Sequence, residues 1–171
     1  FTTSYFSQDA VVQFVGYERV TIRANSSTKV LNDRLTIGEN FTLSMDNRKG
    51  GFPQNSEQNA VSASYKHHPL LPVYDIAGNF AGSRGLNLGN NNAPFARLSR
   101  NQDDRSKRIR AFGSAYAEAR IADKITAKSI FGFDVIGRRG LYIGRPQPEY
   151  IEGNFINSQT SLFQNSYQWN F

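Results

Sequence analysis

His67-His68 is the first place to look for chemistry, because imidazole is a common metal ligand and this chain has 2 histidines. Adjacent side chains in an extended segment point to opposite faces, and neither a cysteine nor a close carboxylate completes a ligand shell. Asp103-Asp104 could do general acid–base work, but Arg100, Arg105, Lys107 and Arg108 crowd it, and a local ion-pair cluster is the better expectation. Asp75 and Asn79 resemble part of a calcium loop without its alternating oxygens or terminal Glu, so a turn accounts for them better. Serines abound, yet none stands in a G-x-S-x-G elbow. The glycines from Gly78 to Gly89 do not lead from a strand into a helix, as a phosphate cradle would require. No catalytic, cofactor or metal residue is therefore expected, and the chain does not read as an enzyme. The aromatics Tyr65, Tyr74, Phe80, Phe95, Tyr142 and Tyr150 could stack on sugar rings or pack beneath a partner, with no single one singled out for binding.

The net charge is +6, and most of it sits in one stretch. Between Asn47 and Arg108 stand Arg48, Lys49, Lys66, Arg84, Arg97, Arg100, Arg105, Lys107 and Arg108, against Glu57, Asp75, Asp103 and Asp104. Arg105-Ser106-Lys107-Arg108-Ile109-Arg110 is its densest part, but aromatics are not interleaved as a nucleic-acid stacking platform would require. A solvated loop facing an anionic environment is the simpler expectation, with no nucleic-acid partner.

What must position such loops is a set of segments that alternate apolar and polar residues. From Arg19 to Val30 one face reads Val20, Ile22, Ala24, Ser26, Thr28, Val30, and the other Arg19, Thr21, Arg23, Asn25. From Arg34 to Asp46 the apolar face is Leu35, Ile37, Phe41, Leu43, Met45, interrupted by Glu39. From Arg108 to Ile121, Ala111, Gly113, Ala115, Ala117 and Ala119 oppose Arg110, Phe112, Ser114, Tyr116, Glu118 and Arg120. Alanine also suits helices, but the strict alternation around Gly113 favours a strand. Ile125, Ala127, Phe131, Phe133 and Val135 oppose Lys124, Thr126, Lys128 and Asp134. Ser161 to Phe171 sets Phe163, Tyr167, Trp169 and Phe171 against Gln164, Ser166, Gln168 and Asn170. With Phe1 to Gln8 that makes six strands, since a period of two means unlike faces.

The connections alternate between short and long. Leu31-Asn32-Asp33-Arg34 and Ala122-Asp123-Lys124 read as tight turns. Asp9 to Gly16 is a modest loop, whereas Asn47 to Lys107 and Gly137 to Thr160 are long ones holding all six prolines, Pro53, Pro69, Pro72, Pro94, Pro146 and Pro148. Within the first, Pro72 to Phe80 reads as a small hairpin turned by Asp75 and Gly78, and Gly82 to Asn92 as irregular. Loops of such length are anomalous in a compact soluble domain and ordinary outside a membrane barrel. The strands fit the roughly 9–11 residues that cross a bilayer at a tilt, and no apolar run approaches the roughly 18 of a membrane helix. Both tight turns fall at one end. The fold class expected is all-β and antiparallel, about six long strands forming part of a transmembrane β-barrel wall with short periplasmic turns and long extracellular loops. Six strands cannot close a bacterial barrel, for which eight is the usual minimum.

Several pieces taken in order resemble the barrel of SusC/RagA-like TonB-dependent outer-membrane transporters. They are Tyr17-Glu18-Arg19, Thr21-Ile22-Arg23-Ala24-Asn25, Asn32-Asp33-Arg34-Leu35-Thr36-Ile37-Gly38-Glu39-Asn40 and Pro69-Leu70-Leu71-Pro72-Val73-Tyr74-Asp75 with Gly78-Asn79-Phe80. Further on come Asn92-Ala93-Pro94-Phe95-Ala96, Arg110-Ala111-Phe112-Gly113-Ser114-Ala115-Tyr116-Ala117-Glu118, Ile125-Thr126-Ala127-Lys128-Ser129 and Phe131-Gly132-Phe133-Asp134. The resemblance implies a plugged barrel in the outer membrane that imports glycans or peptides, capped by a SusD-like surface lipoprotein and driven by TonB. Residues 1–171 would then be one partial barrel domain without internal boundary, lacking plug, TonB box and signal peptide. TonB would be met through the missing regions, and outer-membrane lipid would bathe the apolar faces.

Two other functions fit parts of the pattern. A small complete outer-membrane barrel acting as adhesin or structural protein would need two more strands. A soluble β-sandwich module binding carbohydrate would need inward faces that pack on each other, whereas the polar faces carry Arg19, Arg23, Glu118, Arg120, Lys128 and Asp134.

Overall fold

The alternating segments become the strands of a single sheet. The computed structural model describes residues 1–50, 60–85, 88–89, 93–122, 124–151, 153 and 155–171. Its strands are β1 (Thr2–Asp9), β2 (Gly16–Val30), β3 (Leu35–Lys49), β4 (Arg105–Ala122), β5 (Ile125–Gly144) and β6 (Ser158–Asn170). They lie side by side in chain order, each antiparallel to the next. The architecture is thus all-β: one open sheet of six strands, with no second sheet and no ladder between β1 and β6 among the described residues. Pro53, Glu57, Asn92 and Asp123, all named above, lie outside the described residues, as do 86, 87, 90 and 91 of the Gly- and Asn-rich stretch.

Register fixes which residues share a face. Phe41 stands between Ala24 on β2 and Gly113 on β4, and the same row continues through Phe133 to Trp169. Val20, Met45 and Ile109 form another such row, as do Ile22, Leu43, Ala111, Val135 and Tyr167. The opposite face carries Arg19, Asp46, Arg108 and Arg138 in one row and Thr36, Glu118 and Lys128 in another. Among the described residues neither face is covered by a second layer. The buried apolar residues among those described are Ala60, Ala63, Ala81, Ala93 and Ala96, all in the β3–β4 connection, while Val20, Ile37, Met45, Ile109, Phe131 and Trp169 remain exposed.

The tight turn between β2 and β3 places Leu31, Asn32 and Asp33 at φ of 55°, 56° and 63°. Asn and Asp tolerate this left-handed region, and Leu31 is carried into it by them. On the neighbouring strands a register shift between Arg120 and Ala122 marks a bulge just before the β4–β5 turn.

Four strand limits differ from the expectation. β5 continues to Gly144 and β6 begins at Ser158, so the second long connection is 145–157 rather than Gly137 to Thr160. Gly137, Arg138, Arg139 and Gly140 break the apolar alternation, yet each pairs in the ladder, with Asn165, Gln164, Phe163 and Leu162. The first connection likewise narrows to 50–104, because β3 reaches Lys49 and β4 starts at Arg105. Within it stand two helical segments that alternation could not announce, α1 (Ala60–Lys66) and α2 (Pro94–Arg100), the latter followed by a 3₁₀ turn over Asn101–Asp103. Pro94 opens α2, where its missing N–H costs nothing. None of the strands contains a proline.

Candidate functional site

The polar face is built as rows of ion pairs, and Asp46 is the most shielded member. Register puts it opposite Arg19 on β2 and Arg108 on β4. Arg19 Nε donates to Asp46 Oδ1 at 2.7 Å, Arg108 Nε to Oδ2 at 2.6 Å, and the Tyr17 hydroxyl to Oδ1 at 3.0 Å. The Asp46 side chain is 3% exposed while its two arginines are 42% and 29% exposed. The carboxylate is sequestered and the cations face outward from it. One step along, Arg110 grips Asp134 through two hydrogen bonds of 2.9 and 2.6 Å, the bidentate geometry that only a guanidinium supplies. Nearer the tight turns, Lys128 meets Glu118 at 3.5 Å, with its Nζ 4.8 Å from the centre of the Tyr116 ring. Tyr116 lies across Gly38 on the adjacent strand, where any side chain would collide with the ring.

At the loop end this face forms a groove of about 1010 Å³, lined among others by Phe6, Tyr17, Arg19, Arg23, Arg48 and Tyr142. Arg23 forms no ion pair among the described residues, and the Arg48 guanidinium lies 5.6 Å from the Tyr17 ring centre. Asp104 also reaches the groove, with one carboxylate oxygen accepting the Ile143 amide at 2.9 Å. Burial pushes its carboxyl above the usual carboxylate range. The groove thus combines exposed cations with aromatic rings. That combination suits anionic or hydroxyl-bearing groups.

The two long connections are joined to each other. Arg100 at the end of α2 and Glu149 form a bidentate ion pair, one contact at 2.9 Å, with side chains only 11% and 8% exposed. The Glu149 carbonyl accepts the Arg84 amide at 3.1 Å and the Pro148 carbonyl accepts Arg84 Nη1 at 2.6 Å. Gly82 runs so close to the Glu149 backbone that no Cβ would fit. Beside this, Tyr74 stacks on Phe80 at 5.5 Å, Phe95 stands edge-on to both, and Phe14 of the β1–β2 loop meets Phe95 at 6.2 Å.

The residues weighed for chemistry are accounted for by this packing. His67 Nε2 lies 3.1 Å from the Leu71 carbonyl, and His68 Nδ1 accepts the Leu70 amide. Asp75 Oδ1 accepts the amides of Ala77 and Asn79 at 2.9 and 2.8 Å, and Tyr74 bridges to Phe80, so the small hairpin is present and turned as expected. The Asn79 amide holds the Asp75 carboxyl below its usual range. The expected local cluster around Asp103-Asp104 is not formed. Asp103 pairs across the loops with Arg145, Arg100 with Glu149, Arg108 with Asp46, and Arg105 donates to the carbonyls of Gln102 and Asp104. Register explains the pairing of Arg108, which points to the polar face and stands opposite Asp46 there. Of the aromatics named for loop binding, Tyr74, Phe80 and Phe95 pack together, Tyr142 lines the groove and Tyr65 is exposed. Arg97 lies 5.9 Å from the Tyr150 ring centre. The roles of Glu149 and Arg145 and the Arg108 contact of Asp46 were missed, because each depends on a partner from a distant segment.

No protein-family model matches the chain, and no curated protein matches it.

Proposed function

We propose that this chain is a stretch of the wall of an outer-membrane β-barrel transporter of the SusC/RagA type. In this reading it imports glycans or peptides with a SusD-like surface lipoprotein and draws on TonB through other parts of the polypeptide. It carries no enzymatic step. The observation that carries the reading is the sheet itself: six strands in sequential antiparallel order, an apolar face that nothing covers, and an opposite face of ion pairs. In water an uncovered apolar face of this extent is unfavourable, whereas in a barrel wall it meets lipid while the ion-paired face meets plug or water. The unpaired outer edges of β1 and β6 would be closed by neighbouring strands of the wall.

The connections 50–104 and 145–157 leave the same end of the sheet as the basic, aromatic groove, which suits them to substrate capture or to docking the lipoprotein. The test is to replace 51–103 with a short turn in the intact transporter. Membrane insertion should persist, and substrate uptake or lipoprotein co-purification should be lost. Unchanged uptake together with unchanged co-purification would overturn the role given to this loop, and TonB-independent uptake would overturn the transporter class.

A further inference from the structure

On the apolar face, the change from greasy to polar occurs along one register row. Glu18, Asn47, Lys107, Arg139 and Phe163 are consecutive cross-strand partners on β2 to β6. Each stands two residues beyond its neighbour in the row of Val20, Met45, Ile109, Gly137 and Asn165, toward the loop end. On β4 the apolar stripe below runs from Ile109 to Ala119, 11 residues, about the length of a strand through hydrocarbon. The row therefore sits where hydrocarbon would give way to headgroups.

Within that row two cations are placed directly opposite each other. Lys107 pairs in register with Arg139, both are exposed, and neither forms an ion pair among the described residues. Like charges facing each other across a ladder are destabilising, so this pair costs the free sheet something. The Arg139 guanidinium lies 5.9 Å from the centre of the Phe163 ring, itself 72% exposed, an aromatic–cation pair of the kind that settles at a membrane interface. The charged groups nearby do not neutralise it. Glu18, two strands away, accepts a hydrogen bond from Asn47 Nδ2 at 3.2 Å. Arg105 on the next row is engaged with carbonyls, and Lys49 on that row adds a further positive charge. Asn47 Oδ1 is buried without a donor. Beside Lys107 runs a trough of about 220 Å³ whose apolar lining is Tyr5, Val20, Met45 and Ile109, with Glu18 and Asn47 at its polar rim.

We propose that Lys107 and Arg139 bind the phosphate of an anionic membrane lipid, with one of its acyl chains lying in the Tyr5–Val20–Met45–Ile109 trough. The phosphate supplies the counter-charge that the facing cations lack. The site rests on the barrel-wall reading above, which makes this face the lipid-facing one.

The experiment titrates the intact detergent-extracted protein with phosphatidylglycerol and with phosphatidylcholine, reading bound lipid by native mass spectrometry. Wild type should prefer phosphatidylglycerol, and the K107Q/R139Q double variant should bind it about 30-fold more weakly, from roughly fivefold per interfacial cation. Lys107→Arg with Arg139→Lys should keep the preference, as should Lys124→Gln at the opposite end of the sheet. If the double variant fails to insert, Arg139→Gln alone should show the roughly fivefold loss. A lipid-soluble quencher applied to a label at position 22 separates the two layers of the argument. Quenching with undiminished lipid binding in the variants overturns the lipid site and leaves the wall standing, whereas absence of quenching in the membrane overturns both.

Discussion

Phe41 and Phe133 face each other across Gly113, their ring centroids 6.2 Å apart, on strands that are not neighbours. Gly113 stands between them in register, and a Cβ there would strike the Asn40 carbonyl oxygen, so the neighbouring backbone admits only glycine. In water such rings would seek a core, and among the described residues no layer covers them. The relationship is better matched to a face that packs against acyl chains. An arginine at position 22 or 41 should accordingly destabilise the inserted protein by roughly 2–4 kcal/mol, read as a lowered denaturant midpoint in bilayers. Wild-type stability of both variants would contradict the assignment of this face.

Glu39 is the exception on the same face, in register with Ser26 and Ala115. Its Oε1 accepts the Ser26 hydroxyl at 3.1 Å. On the barrel-wall reading this carboxylate would lie among acyl chains, which is unfavourable even with one hydrogen bond. Glu39→Leu should stabilise the inserted barrel by about 1 kcal/mol, given that acidic residues cost less than Arg or Lys in hydrocarbon. Destabilisation by this change would mean that Glu39 faces a protein partner.

Removing the Asp46 carboxylate strands Arg19 and Arg108 together with the Tyr17 hydroxyl. Asp46→Ala should cost roughly 1–3 kcal/mol, the penalty of leaving donors unpaired. Asp46→Asn keeps the shape and should lose less. Equal stability of all three proteins in denaturant titrations would show that the polar face does not depend on this node.

The Asp75 turn carries a pH dependence whose sign is fixed. Its carboxyl is held below the usual range, chiefly by the Asn79 amide and further by that of Ala77. A depressed folded value contributes local stability that is present above the unfolded value and lost as pH falls through the folded one. Hydrogen exchange at the Ala77 and Asn79 amides, corrected for intrinsic rates, should lose protection across that acidic window. Asp75→Asn should flatten the dependence. Protection that is unchanged by acid in the wild-type chain would refute the role given to the carboxylate.

Most of the sheet was legible because its cause is local. Alternation fixes faces, and a tight turn fixes register: once Leu31 to Arg34 is read as a turn, Val30 lies opposite Leu35 and Arg19 opposite Asp46. The Glu118–Lys128 pair follows in the same way from the second tight turn. Arg108 opposite Asp46 does not follow, because the long 50–104 connection between β3 and β4 leaves that register free in sequence. Glu149 with Arg100 and Asp103 with Arg145 were illegible for the same reason, each uniting residues from two separate loops. The ends of β5 and β6 were misjudged where Arg138-Arg139-Gly140 hides the period, since backbone pairing there continues without an apolar face to announce it. The helices α1 and α2 pack small alanines into the loop cluster, and seven residues are too few for a periodic stripe.

The central claim is that one face of this sheet meets lipid and the other does not. Single cysteines at Ile22, Phe41 and Phe133, and separately at Thr21, Asn40 and Asp134, carry a fluorophore in the intact membrane-inserted protein while a lipid-soluble quencher is added. Quenching confined to positions 22, 41 and 133 is the predicted result. Quenching confined to 21, 40 and 134, or quenching of neither set, would contradict the account.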